Sequence, residues 1–256
     1  MQKTFERKIN TIEMLQDPRN TITEIVQNDY RTADVFKKHG INYCCSGRIT
    51  LQEACRSGNA NYNDLISELE EATRNVFISK SLLFDKWRVD FLIDYIINIH
   101  HSYLNQAIPA LELQLISFLA GHRNKYPEVV KVQEVFGELS SVLRTHNLHE
   151  EEILFPYIKQ VDSAYRRKES YGNLFVRTLR KPLSNMEKEH GVITELLKKV
   201  KLYTNNYMFP KNACTNHQVL YHKFREFQDD LIQHKHLECN ILFPKAVEIE
   251  QQLLQI

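Results

Sequence analysis

Two stretches of the chain repeat one set of metal-capable groups: His146, Glu150 and the run Ile153-Leu-Phe-Pro156, then His234, Glu238 and the run Ile241-Leu-Phe-Pro244. A single histidine precedes each at nearly the same distance, His101 lying 45 residues before His146 and His190 lying 44 before His234. The duplicated unit is therefore one histidine followed by a His-x3-Glu pair. Four imidazoles and two carboxylates with internal two-fold repetition are a donor set that suits a pair of transition-metal ions. One His-x3-Glu alone would be a weak signal, because a histidine on an apolar face is usually a hydrogen-bonded core residue. The matched duplication is what gives it weight.

Such groups need rigid elements to hold them. Glycine and proline are scarce at seven each, and the class is all-α. Long-period helices are expected over about 87–120, 127–161, 173–205 and 216–250. They are joined through Gly121 and Pro127, the segment from Asp162 to Gly172, and Pro210 with Asn212. Four such helices with short connections favour an up-down-up-down bundle over 87–250. On the first, Ile97, His101, Leu104, Ile108, Leu111 and Leu115 form one face; on the second, Val135, Leu139, Val142, His146, Glu150, Ile153 and Tyr157 do so. The third face runs Leu179, Leu183, Met186, His190, Ile193, Leu197 and Val200, and the fourth Leu220, Phe224, Phe227, Leu231, His234, Glu238 and Ile241. Each apolar row has a histidine set into it. A residue four positions on is rotated only about 40° and raised about 6 Å, so His146 and Glu150 reach one site, as do His234 and Glu238. Core glutamates must be protonated, hydrogen-bonded or bound to cations, because ionised and unpaired they cost several kcal/mol each. Stripe phase favours His101 over His100, the second copy favours Glu150 over His149 (whose counterpart is Leu237), and His236 points to solvent. His39, His122, His217 and His222 read as surface or hydrogen-bonding residues.

A smaller helical domain precedes the bundle, over about 20–76. Thr21 or Thr23 can cap a helix through Gln27, Asp29 to His39 forms another that stops at Gly40, Thr50 caps the next, and Asn61 or Asn63 opens the last. Between them lies a loop with adjacent cysteines, Cys44 and Cys45. Neighbouring cysteines cannot easily form a relaxed disulfide with each other. Arg48 and the helix start at Thr50 favour thiolate there. Cys214 and Cys239 read as buried, inert thiols, and Cys55 has no evident partner.

The 256 residues are 43% apolar and 25% charged, ordinary for a globular protein, and a net charge of +1 creates no general attraction to nucleic acid or a membrane. No apolar run reaches the roughly 18 residues of a spanning helix, the N-terminus lacks a signal-peptide core, and five unevenly spread cysteines argue against a secreted disulfide scaffold; the expected location is cytoplasmic. Imidazole and carboxylate without thiolate suit iron, manganese or a zinc pair, and spacing does not choose among them.

The bundle resembles a hemerythrin-like domain, and the whole chain resembles the bacterial "repair of iron centres" proteins, di-iron proteins of iron–sulfur cluster repair. Asn42-Tyr-Cys-Cys-Ser-Gly47, His101, His146-x3-Glu150, Glu189-His190, Ala213-Cys214-Thr215 and His234-x3-Glu238 carry the likeness, over about residues 20–248. Two departures are a longer segment around Tyr165 to Asn173 and His217 where an aromatic is common. The resemblance implies two non-heme irons per chain on His101, His146, Glu150, His190, His234 and Glu238, with the glutamates bridging. It implies repair of clusters damaged by oxidative or nitrosative stress through iron donation, damaged iron–sulfur proteins as partners, NO or O2 as small ligands, and a homodimer. Cys44 and Cys45 are the candidates for a redox or iron-transfer step. A di-iron nitric oxide reductase, and an oxygen- or NO-binding sensor, are the alternative functions.

Overall fold

The computed structural model describes residues 11–17, 19–43, 48–58, 60–74, 82–169, 180–253 and 255. The chain divides at residues 79–80, 207–208 and 223–224 into two compact units. Among the described residues the regular elements are all helical.

The smaller unit holds α1 (Thr11–Gln16), α2 (Ile22–Asn28), α3 (Thr32–Lys38), α4 (Leu51–Gly58) and α5 (Tyr62–Thr73). Three of these starts carry their cause in a cap. Thr21 and Glu24 form a reciprocal capping box on α2, Thr50 and Glu53 exchange the same bonds at α4, and the Asn61 side chain accepts from the Asn63 and Asp64 amides. The two capping threonines pair as an isolated antiparallel bridge, which ties the starts of α2 and α4 together. Gly40 ends α3 region helicity at φ +69°, a conformation glycine adopts without penalty. Ile22, Ile25, Phe36, Leu65 and Leu69 form the core. Residues 208–223 belong to this unit, with Val219 in its core and Lys223 paired to Asp34.

The larger unit is built on four helical rods. The first runs through α6 (Val89–Tyr95), a π-helical turn (Ile96–His101) and α7 (Ser102–His122). The second comprises α8 (Glu128–His149), a π turn (Glu150–Leu154) and α9 (Phe155–Arg167). The third is α10 (Arg180–Tyr203); the fourth is α11 (Thr215–Leu237), a π turn (Glu238–Leu242) and α12 (Phe243–Leu253). α9 packs on α6 and α12 on α9, so the second rod runs against the first and with the fourth, as in an up-down-up-down bundle. Phe136 is packed edge-on against Phe224 and Phe227 in one half of the core, while Leu92, Ile93, Phe155, Met186 and Leu242 fill the other.

Three of the four rods widen into a π turn at the site-bearing residues, and this shifts the predicted stripes. In the second rod Leu154, Phe155 and Ile158 are buried while Ile153 is 55% exposed. In the first, Ile96 is buried rather than Ile97, and both His100 and His101 are. A π turn inserts one residue, so every later side chain advances by one position around the axis. Pro156 and Pro244 lie two residues beyond two of these turns. Proline has no N–H to continue the i→i−4 ladder, and the amides of Phe155 and Phe243 instead bond five residues back, to the Glu150 and Glu238 carbonyls. The repeated Ile-Leu-Phe-Pro run is thus the local sequence of a π turn that begins at each glutamate.

Candidate metal centre

All six residues singled out in the bundle converge. His101, Glu150, His234 and Glu238 offer ligand atoms that lie within 4.8 Å of one another, and so do His146, Glu150, His190 and Glu238. The two groups share both carboxylates. Every member is buried, Glu150 at 0% and Glu238 at 1% exposure. The imidazoles meet in pairs through Nε2, with His101 3.1 Å from His234 and His146 3.1 Å from His190. Two nitrogens bound at right angles to one ion, each about 2.1 Å from it, would be about 3 Å apart.

Three of the four outward Nδ1 atoms are held as well. His101 Nδ1 is 2.7 Å from Glu151 Oε1, His146 Nδ1 is 2.8 Å from Glu189 Oε2, and His190 Nδ1 is 3.2 Å from Cys239 Sγ. With Nδ1 occupied in this way, each ring presents Nε2 to the centre. The ring of His234 lies against that of His100, centroids 5.6 Å apart and 7° from parallel, and His100 Nδ1 bonds Asp230 at 2.9 Å. Stripe phase had separated His100 from His101; the π turn buries both. His149 is half-buried with Nδ1 4.0 Å from Glu189, and His236 is exposed, bonded to Asn240. His217 is buried edge-on to Tyr221 rather than at the surface, His39 pairs with Glu68, His122 bonds the Phe118 carbonyl and His222 stacks on Tyr30.

The electrostatics of the six groups are those of a site short of positive charge at its centre. Neither oxygen of Glu150 makes a hydrogen bond, although Oε2 lies 3.4 Å from His101 Nε2 and Oε1 3.5 Å from His146 Nε2. Burial, then the neighbouring Glu238 carboxylate, push the Glu150 carboxyl well above the usual range. Burial also acts on Glu238, but the imidazoles of His234 and His190 outweigh it and hold that carboxyl well below the usual range. Burial and the proximity of His234 lower His101 to about 4; burial lowers His146 as well. His190 goes the other way, to about 9, because its bonds to Cys239 and Glu238 outweigh burial. Buried carboxylate oxygens facing convergent imidazole nitrogens are a donor set that fits bound metal.

One side of the centre is open. A cavity of about 380 Å³ is lined by His146, His190, His234 and Glu238, with Leu143, Ile193, Leu197 and Leu231 as apolar wall and Thr194, Lys235 and Cys239 as polar wall. His101 and Glu150 lie outside that lining.

Glu151, Glu189 and Cys239 were not assigned a role from the sequence. The available signal was positional, since Glu151 and Cys239 each follow a core glutamate and Glu189 precedes a core histidine. Cys239 and Cys214 are half-buried rather than buried, Cys55 is buried, and Cys239 is in contact with the centre. Cys44 and Cys45 lie outside the described residues.

Comparison with known proteins agrees with this geometry. The hemerythrin HHE cation binding domain matches residues 92–246, and the ScdA_N domain of unknown function (DUF542) matches residues 18–73. The architecture is that of a hemerythrin-like cation-binding bundle with an N-terminal helical domain. The chain is 33% identical over 221 residues to the iron-sulfur cluster repair protein YtfE of Escherichia coli O81 (strain ED1a), covering 85% of this chain and 91% of that protein. Against the protein of the same name from Enterobacter sp. (strain 638) it is 31% identical over 227 residues, covering 88% and 94%; against that of Citrobacter koseri it is 33% identical, covering 85% and 91%. The chain belongs to the family of these iron-sulfur cluster repair proteins. No helix among the described residues is long and apolar enough to cross a membrane.

Proposed function

We propose that this chain holds two iron ions and gives up ferrous iron to damaged iron–sulfur clusters. His101 and His234 would serve one ion, His146 and His190 the other, with Glu150 and Glu238 shared between them. The observation that carries the reading is the shared pair of buried carboxylates, one with no hydrogen bond of its own, common to two groups of convergent nitrogens. The relatives' name supplies the class of target, iron–sulfur proteins. Iron supplies the labile ferrous cargo and the redox chemistry of such a centre. The rest is done by the chain: Glu151, Glu189 and Cys239 orient imidazole rings, buried apolar side chains keep water from Glu150, and the cavity gives a route to His146, His190 and Glu238.

We further infer, from the family resemblance and the sequence, that Cys44 and Cys45 receive iron or electrons from the bundle, that NO or O2 is its small ligand, and that the protein acts as a cytoplasmic homodimer under oxidative or nitrosative stress. The test is anaerobic mixing of the iron-loaded chain with an iron–sulfur protein whose cluster has lost iron. Recovery of cluster absorbance in proportion to iron lost from the donor, absent with His146→Ala/Glu150→Ala, is the expected result. Catalytic conversion of NO to nitrous oxide with no loss of iron would replace donation with reduction.

A further inference from the structure

The internal duplication allows the chain to be compared with itself. The residue before the lone histidine is His100 in the first copy and Glu189 in the second. Each reaches the ring that shares a ligand group with its neighbour. Glu189 Oε2 is 2.8 Å from Nδ1 of His146, the mate of His190, and the His100 ring lies against that of His234, the mate of His101. Equivalent places in the two copies thus back the two equivalent His-x3-Glu histidines, one with a carboxylate and the other with a flat ring.

The first rod is shaped for this. Neighbours on an α-helix point about 100° apart, yet the π turn over Ile96–His101 buries both His100 and His101. Once inside, His100 is fixed from three directions. Its Nδ1 is 2.9 Å from Asp230 Oδ1, the Tyr95 ring meets it edge-on with centroids 5.7 Å apart, and the His234 ring lies 5.6 Å away and 7° from parallel. That separation is within the range of offset-stacked aromatic pairs. Asp230 stands one helical turn before His234 on α11, so the carboxylate that Glu189 applies directly to His146 is here applied to His100. The hydrogen bonds of His234 among the described residues run through Nε2. The face of His100 is left to do for this ring what an Nδ1 partner does for the other three.

We propose that His100, held by Asp230, is the positioning residue of His234. The stack fixes the imidazole plane so that Nε2 meets the ion shared with His101. The inference rests on the two-ion reading above and adds a residue to the support of one of the two positions.

The test uses the full chain, metal-free and then titrated anaerobically with cobalt(II), whose visible bands report the geometry of its ligands. His100→Leu fills the space without a ring; His100→Phe keeps a ring without the bond to Asp230. His100→Leu is expected to shift the bands and weaken one of the two bound equivalents by about 2–10-fold, the range of an offset stack, with the other unchanged. His100→Phe restores bands and affinity to within about twofold. Glu189→Ala weakens the other equivalent by about 10–100-fold, so the two variants act on different ions. Melting of the metal-free chain shows whether each variant folds. If His100→Leu does not, Asp230→Ala, a change at a partly exposed residue, releases the His100 ring and shifts the same bands. Bands and affinities unchanged by His100→Leu, equal weakening of both equivalents, or His100→Phe as damaging as His100→Leu would overturn this inference and leave the two-ion centre standing. A silent Asp230→Ala beside an unfolded His100→Leu does the same. A chain that binds no cobalt overturns both.

Discussion

Replacing Glu150 with methionine should stabilise the metal-free protein, the opposite of the usual result for a core substitution. Glu150 is fully buried, neither of its oxygens makes a hydrogen bond, and its carboxyl is pushed well above the ordinary range by burial and by Glu238. A buried polar group without a hydrogen bond costs about 1–3 kcal/mol, which the imidazoles of His101 and His146 at 3.4 and 3.5 Å offset only in part, and methionine is unbranched, of similar reach and apolar. In a unit of this size about 1 kcal/mol corresponds to roughly 2–4 °C, so the apo melting temperature should rise by about 2–12 °C. With ferrous ion present the order should reverse. The wild-type chain gains about 4 kcal/mol at a thousandfold excess of ligand over Kd, while the variant has lost a carboxylate common to both ligand groups. Thermal melts by circular dichroism, with and without metal under anaerobic conditions, read both effects. An apo Glu150→Met protein that melts below wild type, or one that gains as much from iron as wild type does, would refute the reasoning.

Proton linkage gives a second expectation. In the apo protein His190 is held protonated up to about pH 9, so its stabilising contribution is complete below about 6.5 and fades between 6.5 and 9; His101, lowered to about 4, adds stability as pH rises from 4 to 6.5. Apo stability should peak near pH 6.5 while metal affinity keeps rising with pH, and titration with metal at pH 7 in weak buffer should release a proton from His190; release of none would contradict the assignment. Pro156→Ala with Pro244→Ala should let the i→i−4 ladder compete with the π turns, lowering metal retention about tenfold with helicity unchanged by far-ultraviolet circular dichroism. Thr21→Ala removes the cap of α2 and should cost the smaller unit about 1 kcal/mol in urea denaturation, with metal content unchanged.

The six central residues were legible because the chain states them twice at matched spacing, and the helix starts were legible because Thr21, Thr50 and Asn61 are strong local caps. The π turns were not, since periodicity over a short window cannot separate 3.6 residues per turn from one wide turn. Ile153 and Tyr157 were therefore placed on the inner face that Leu154 and Ile158 occupy. Pro156 and Pro244 held the missing information, as residues that cannot continue an α-helical ladder. The outer partners Glu151, Glu189 and Cys239 depend on how rods pack across the bundle, which local pattern does not encode. The return of residues 208–223 to the smaller unit is likewise a long-range matter. Val219 joins a core whose other members all lie at Leu69 or earlier in the chain, and Gln27 meets Thr215 at 3.4 Å.

The most direct test of the central claim is elemental analysis of anaerobically purified protein beside the His146→Ala/Glu150→Ala variant. About two irons per chain, absent from a variant that keeps its helical content, is the predicted result. Zinc in place of iron, or no metal in a wild-type chain of unchanged fold, would contradict it.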